Sequence, residues 1–154
     1  MASINGASIA LDPGQVRNQE ISSATGDQIQ YFKMQTKLKP SSRFNTAIGG
    51  TPSAFEEPVY VADGAGVILG FHAKLNAAGG STAVVVDIKK NGTSISTGSA
   101  GISIGNTTAK QDGTLATSTF AAGDVLSLVI SGTFTGAQGP FAWISLYEMV
   151  TTTT

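Results

Sequence analysis

The segment Lys90-Asn91-Gly92-Thr93 constrains this chain most, because it joins two runs that carry the pattern of β-strands. Asn-Gly between such runs is the strongest short-range hairpin signal, since both residues tolerate positive φ. Before it, residues 83–90 are Val-rich and β-branched, with Val84, Val86 and Ile88 marking one buried face. After it, residues 93–97 read as the returning strand. The same period of two recurs along residues 66–75. There Val67, Leu69, Phe71, Ala73 and Leu75 share one face, and Ile68, His72 and Lys74 fall on the other. Residues 100–104 form a short strand closed by Gly105-Asn106, and residues 114–120 follow the turn Gln111-Asp112-Gly113. Ala121-Ala122-Gly123-Asp124 turns into an apolar strand over 125–131. Residues 141–149 close the series, with Phe141, Trp143 and Tyr147 on one side and Ala142, Ile144 and Leu146 on the other. No stretch holds a helical 3.6-residue period for three turns. With two strands from the first part, the count is about eight short antiparallel strands, as in a jelly roll. The expected fold is all-β, an antiparallel β-sandwich with an extended N-terminal arm.

The chain divides near Pro58, into residues 1–57 and a sandwich over 58–154. Residues 3–26 are too polar and too rich in small side chains to make a core, so they read as an extended arm. Residues 28–39 alternate, with Phe32, Met34 and Leu38 on one face and Tyr31, Lys33, Gln35 and Lys37 on the other. That is one strand. Residues 40–58 read as a long loop carrying Ile48-Gly49-Gly50 and the pair Glu56-Glu57. A loop of that length without structure of its own is uncommon unless it is functional or docked.

Composition narrows the function. Charged residues make up 12% of the 154, half the roughly 25% usual for a globular domain. Nine basic residues face ten acidic ones with no run of either sign. A nucleic-acid partner is therefore not expected, because neutralising phosphates needs a basic patch. The chain has no cysteine, which excludes disulfides and thiol chemistry and leaves stability to packing or association. Residues 1–11 lack the basic and apolar regions of a signal peptide, and no window approaches a membrane span of about 20 apolar residues. Synthesis in a cytoplasm and no membrane partner are the expectation.

The residues that could carry chemistry are few. His72 is the single histidine. It falls on the outward face of its strand, with no second histidine or cysteine to complete a metal site. A hydrolase triad would need it, yet no Gly-x-Ser-x-Gly elbow is present. Glu56, Glu57, Asp63, Asp87 and Asp124 could supply a glycosidase pair, but the adjacent Glu56 and Glu57 point to opposite sides of an extended chain. Asp112 and Asp124 each sit beside a glycine, where aspartate favours turn hydrogen bonds, and no calcium-loop run occurs. Gly64-Ala65-Gly66 precedes a strand and opens no helix, so it makes no phosphate cradle. Tyr31, Phe32, Phe71, Phe141, Trp143 and Tyr147 could form a sugar-binding platform, but their alternation favours core or subunit packing. No catalytic, cofactor-binding or metal residue is assigned. The chain is expected not to be an enzyme.

Two segments carry a resemblance. Val84-Val85-Val86-Asp87-Ile88-Lys89-Lys90-Asn91-Gly92-Thr93-Ser94-Ile95 resembles the central hairpin of small jelly-roll modules in bacteriophage fibres and head-decoration proteins. Thr119-Phe120-Ala121-Ala122-Gly123-Asp124-Val125-Leu126-Ser127-Leu128-Val129-Ile130 is similar to a later turn and strand of those modules. The resemblance covers residues 59–149 and gives fold more firmly than role. It implies a homotrimeric virion protein. The absence of shaft repeats and of a coiled-coil stem favours a capsid decoration, or cement, protein on the phage head. Such a protein would stabilise the capsid by binding the major capsid protein across subunits through its N-terminal arm. A tail-fibre or receptor-binding, lectin-like module is the alternative.

Overall fold

The computed structural model describes residues 35–79, 84–105 and 107–149. The arm expected over residues 1–26, Tyr31, Phe32 and most of the strand expected near 28–39 lie outside the described residues.

The described residues form two antiparallel sheets. Their strands are β1 (Gln35–Leu38), β2 (Ser41–Ser42), β3 (Phe55–Val61), β4 (Gly66–Lys74), β5 (Val84–Lys90), β6 (Thr93–Ser94), β7 (Ile102–Ser103), β8 (Gln111–Gly113), β9 (Thr119–Phe120), β10 (Val125–Gly132) and β11 (Phe141–Met149). In the first sheet β11 lies between β4 and the consecutive pair β1 and β2, and the far side of β4 carries β8 and β9. In the second, β10 lies between β3 and β5, and the far side of β5 carries β6 and β7. The only helical piece among the described residues is a 3₁₀ turn, Thr97–Ser99. Pro58 lies within β3, an edge strand, beside a register shift against β10 at Leu126 and Ser127. Proline suits that position because it has no N–H to donate to a ladder.

The core is where the two inner faces meet. Ala142, Ile144 and Leu146 of β11, with Ile68, Phe71 and Ala73 of β4, pack with Val84, Val86 and Ile88 of β5 and Leu126, Leu128 and Ile130 of β10. All are buried. Each large side chain among them contributes roughly 1.5–3 kcal/mol over its exposed state. The buried face read for residues 84–90 is therefore the inner one, and the two faces read for residues 141–149 divide with Ala142, Ile144 and Leu146 inside.

In β4 it does not. Ile68 is 2% exposed, whereas Val67 and Leu69 are 41% and 51% exposed. Phe71, Ala73 and Leu75 are buried as expected. The cause is a bulge: Ser145 pairs with Gly70, but Leu146 pairs with Ile68, so Leu69 is an extra residue opposite β11. One inserted residue reverses the parity of everything before it.

Two further expectations are corrected. Gln111-Asp112-Gly113 is not a turn but strand β8, in register with Phe71, His72 and Ala73. A Cβ on Gly113 would lie 2.1 Å from the Phe71 ring, so the glycine is there to let that ring pass under β8. The strand expected over 114–120 survives only as β9. Residues between turn to the other sheet, where Ala116 N–H donates to the Ile95 carbonyl at 2.8 Å and Ser96 bridges Leu115. The strands expected over 93–97 and 100–104 shorten to β6 and β7, although Ile95 N–H still donates to the Ile88 carbonyl of β5 at 3.0 Å and Ile104 N–H to the Val84 carbonyl at 2.8 Å.

Candidate functional site

The outer face of the first sheet carries a row of rings. Because β11 buries its even-numbered residues, Phe141, Trp143 and Tyr147 stand outward and half-buried. Register then sets their neighbours. Trp143 pairs with Ser41 of β2 on one side and His72 of β4 on the other, and His72 pairs with Asp112 of β8. The Trp143 ring lies 5.0 Å from the His72 ring and stacks at 5.4 Å on Phe141. Arg43 places its guanidinium 5.5 Å over Phe141. The row thus runs from Arg43 through Phe141, Trp143 and His72 to Asp112. Farther along the same face, Tyr147 pairs with Val67, whose exposed side chain lies near that of Leu69.

His72 is not the isolated exposed side chain that its strand position suggests. Its Nδ1 lies 2.5 Å from Asp112 Oδ1. Lys110 Nζ donates to Asp112 Oδ2 at 2.9 Å. Lys110 first, then His72, holds the Asp112 carboxyl below the usual range. Asp112 therefore serves a cross-strand pair, which corrects its assignment to turn chemistry. The Asp112 contact holds the imidazole beside the indole of Trp143.

At the Arg43 end the row opens into a shallow pocket of about 580 Å³. Its wall is the turn from Arg43 to Thr46, closed by Thr46 N–H donating to the Arg43 carbonyl at 3.0 Å. The two central residues, Phe44 and Asn45, both have left-handed φ, 52° and 53°. Asparagine tolerates this, but phenylalanine there is a genuine outlier. Phe44 is held by its ring, which is buried in the core, and by its N–H, which donates to Ser42 Oγ at 2.7 Å. Ser42 in turn donates to Glu57 Oε2. Asn45 is the one local sign of this turn, which contains neither glycine nor proline.

Glu56, Asp87, Asp124 and Glu148 have structural partners. Glu56 accepts from Lys89 Nζ at 2.7 Å, on the opposite side of β3 from Glu57, as the extended pair implied. Asp87 Oδ1 accepts from Ser96 Oγ at 2.6 Å, Ser94 Oγ at 3.1 Å and Ile88 N–H at 2.8 Å. Asp124 accepts from Ala121 N–H at 2.8 Å and Asn91 Nδ2 at 2.7 Å, which together hold it below the usual range. Glu148, which sequence reasoning missed, is buried and accepts from Tyr60 Oη and from Gly64 N–H at 2.7 Å. Burial pushes its pKa up, but the bonds from Tyr60, Gly64 and Asp63 outweigh that and leave it lowered. Burial first, and then the hydrogen bond to Glu148, push the Tyr60 hydroxyl well above its ordinary value. The parity of β11 did signal Glu148, since position 148 faces inward with 142, 144 and 146.

Gly64 and Gly66 serve packing. A Cβ would meet the Met149 carbonyl at 2.2 Å from Gly64, and the Phe120 ring at 2.2 Å from Gly66. Among the described residues no group of three His, Asp or Glu side chains is arranged to hold a metal ion. No family model matches this chain, and no curated protein or solved structure matches it either.

Proposed function

We propose that this chain is a virion structural protein, a capsid decoration protein that stabilises a phage head by binding across coat subunits. The observation that carries the reading is the strand order. Take β1 with β2 as one position, β6 with β7 as another, and β8 with β9 as a third, which leaves eight positions. The first then pairs with the eighth, the second with the seventh, the third with the sixth and the fourth with the fifth. That is a long antiparallel ribbon. Two further pairings, β11 with β4 and β10 with β5, roll the ribbon into two sheets. We read this rolled ribbon as a jelly roll, an architecture of viral capsid and lectin domains, and it supports the decoration reading.

Two features support assembly. Among the described residues the buried polar side chains are all hydrogen-bonded within the fold, which suits rigidity. The exposed Val67 and Leu69, beside the half-buried Tyr147 and Trp143, give the outer face of the first sheet an apolar surface suited to contact between copies. We expect a homotrimer. Residues 1–26 have the composition of a segment that gains order from a partner, and in strand conformation they would add to the edge of a coat-protein sheet.

A second reading, a tail-fibre or receptor-binding module, draws on the aromatic row from Phe141 to His72. Gold-labelling of this protein on purified virions separates the two. Label over the head supports decoration, and label confined to the tail overturns it in favour of attachment.

A further inference from the structure

We propose that the pocket between the Arg43–Thr46 turn and Phe141 binds a neutral saccharide. This goes beyond the decoration reading and holds whether the protein sits on a head or a tail.

A pyranose ring needs two things of a site. Its C–H face packs on an aromatic ring, and its hydroxyls, which both donate and accept, need donors and acceptors side by side. Phe141 supplies the ring, its plane fixed by stacking on Trp143, and a sugar would take the place over it that the exposed Arg43 guanidinium holds at 5.5 Å. Arg43 and Asn45 supply donors and Glu57 supplies an acceptor, all lining the same pocket. Ser42 donates to Glu57 Oε2, which leaves Oε1 with acceptor capacity. The volume of about 580 Å³ falls within the roughly 300–1,000 Å³ of small-ligand sites.

Two observations set this pocket apart from an ordinary surface dent. The first is the turn. A left-handed phenylalanine persists only where its surroundings over-determine it, and such residues cluster at binding sites. With Phe44 anchored in the core, the turn presents Arg43 and Asn45 at the rim from a fixed backbone. The second is the charge arrangement. Arg43 alone would attract an anion, but Glu57 stands in the same pocket and repels one. A phosphate, a sulfate or a nucleotide is therefore disfavoured. A neutral polyol satisfies both charges at once.

The test is an amide-resonance titration of the isotopically labelled full chain with galactose, mannose and N-acetylglucosamine, and separately with inorganic phosphate. The site is open, so affinity is expected to be weak, on the order of millimolar. At least one sugar should give saturable shifts confined to residues 41–47, 57 and 141, and phosphate should give none. Phe141→Ala should abolish the saturation. Asn45→Gly, which keeps the left-handed backbone, should weaken it at least several-fold. Absence of saturable shifts for all three sugars up to about 100 mM overturns the proposal. So do shifts of equal size with phosphate, or sugar binding unchanged in Asn45→Gly. The last of these stands even if Phe141→Ala fails to fold.

Discussion

Asn91 Nδ2 donates to Asp124 Oδ1 at 2.7 Å, while Asn91 Oδ1 accepts from Val125 N–H at 2.8 Å. One side chain at the tip of the β5–β6 hairpin thus closes on both sides of the residue step that begins β10. The Asn91 N–H adds a third bond, to the Val125 carbonyl at 2.9 Å. Lys90 Nζ reaches the Thr119 carbonyl at 3.0 Å. The two segments most suggestive in the sequence, around 84–95 and 119–130, are therefore one structural unit.

This arrangement separates two roles of Asn91. Its φ is 51°, a conformation that costs most L-residues about 1–2 kcal/mol. Asn91→Gly keeps the backbone and removes the side-chain bonds, so it should cost about 1 kcal/mol. Asn91→Ala loses both and should cost about 2–3 kcal/mol. Urea denaturation of the two variants checks this. Equal losses would mean that the left-handed backbone contributes nothing.

Gly113→Ala should destabilise although it adds only a methyl group to a strand. The new Cβ would meet three Phe71 ring atoms, the nearest at 2.1 Å, and Phe71 is 0% exposed, with no room to retreat. Overpacking of this kind costs about 1–3 kcal/mol. The partner substitution Phe71→Leu should recover part of the loss in Gly113→Ala, read as a double-mutant cycle by thermal unfolding. Strictly additive effects would show that the ring is not what excludes the side chain.

The same glycine explains where sequence reading stops. Asp112-Gly113 is a strong turn signal because glycine usually marks positive φ, yet here it marks a close approach by a ring from the neighbouring strand. Such a contact has no local signature. The bulge at Leu69 is equally silent, since Val67, Leu69 and Phe71 look like one unbroken face until the pairing with β11 is known. The Arg43–Thr46 turn, on which the pocket depends, carries no turn residues except Asn45. By contrast, β5, β10 and β11 were legible because their inner residues face a core that tolerates only apolar side chains. Phe141, Trp143 and Tyr147 were separated from Ala142, Ile144 and Leu146 by their alternation, but which of the two faces is the core was not legible, and their ring partners His72 and Arg43 come from distant parts of the chain.

The Tyr60–Glu148 bond joins the edge strand β3 to β11 of the opposite sheet, and it should make stability depend on pH at both ends. Glu148 has a folded pKa below its ordinary value, so its contribution is complete above roughly pH 4.3 and is lost as pH falls through the lowered value. Tyr60 has a folded pKa above its ordinary value. Its contribution is complete below roughly pH 10 and is lost as pH rises toward the raised value. Glu148→Gln should therefore flatten the acid limb of a Tm-against-pH curve, and Tyr60→Phe should flatten the alkaline limb. The measurement is thermal unfolding from about pH 2.5 to 11. An acid limb as steep in Glu148→Gln as in the parent would show that other carboxylates carry it.

Removal of residues 1–26 should leave the body folded and abolish attachment to the capsid. Every described pairing, beginning with β1 against β11, lies downstream of a truncation that starts at Asp27. The core residues, from Phe44 to Leu146, are likewise all retained. The removed segment is rich in small and polar side chains, a composition with too little apolar area to offset the roughly 1–2 kcal/mol per residue that ordering a backbone costs. Its order would have to come from a partner, which is what a tether across coat subunits requires. The truncated chain should unfold within about 3 °C of the intact one. It should also fail to bind undecorated capsids in a co-sedimentation assay. Unfolding tens of degrees lower would place the segment in the core. Undiminished capsid binding would move the attachment surface to the body, where the exposed face carrying Val67, Leu69 and Tyr147 becomes the next region to mutate.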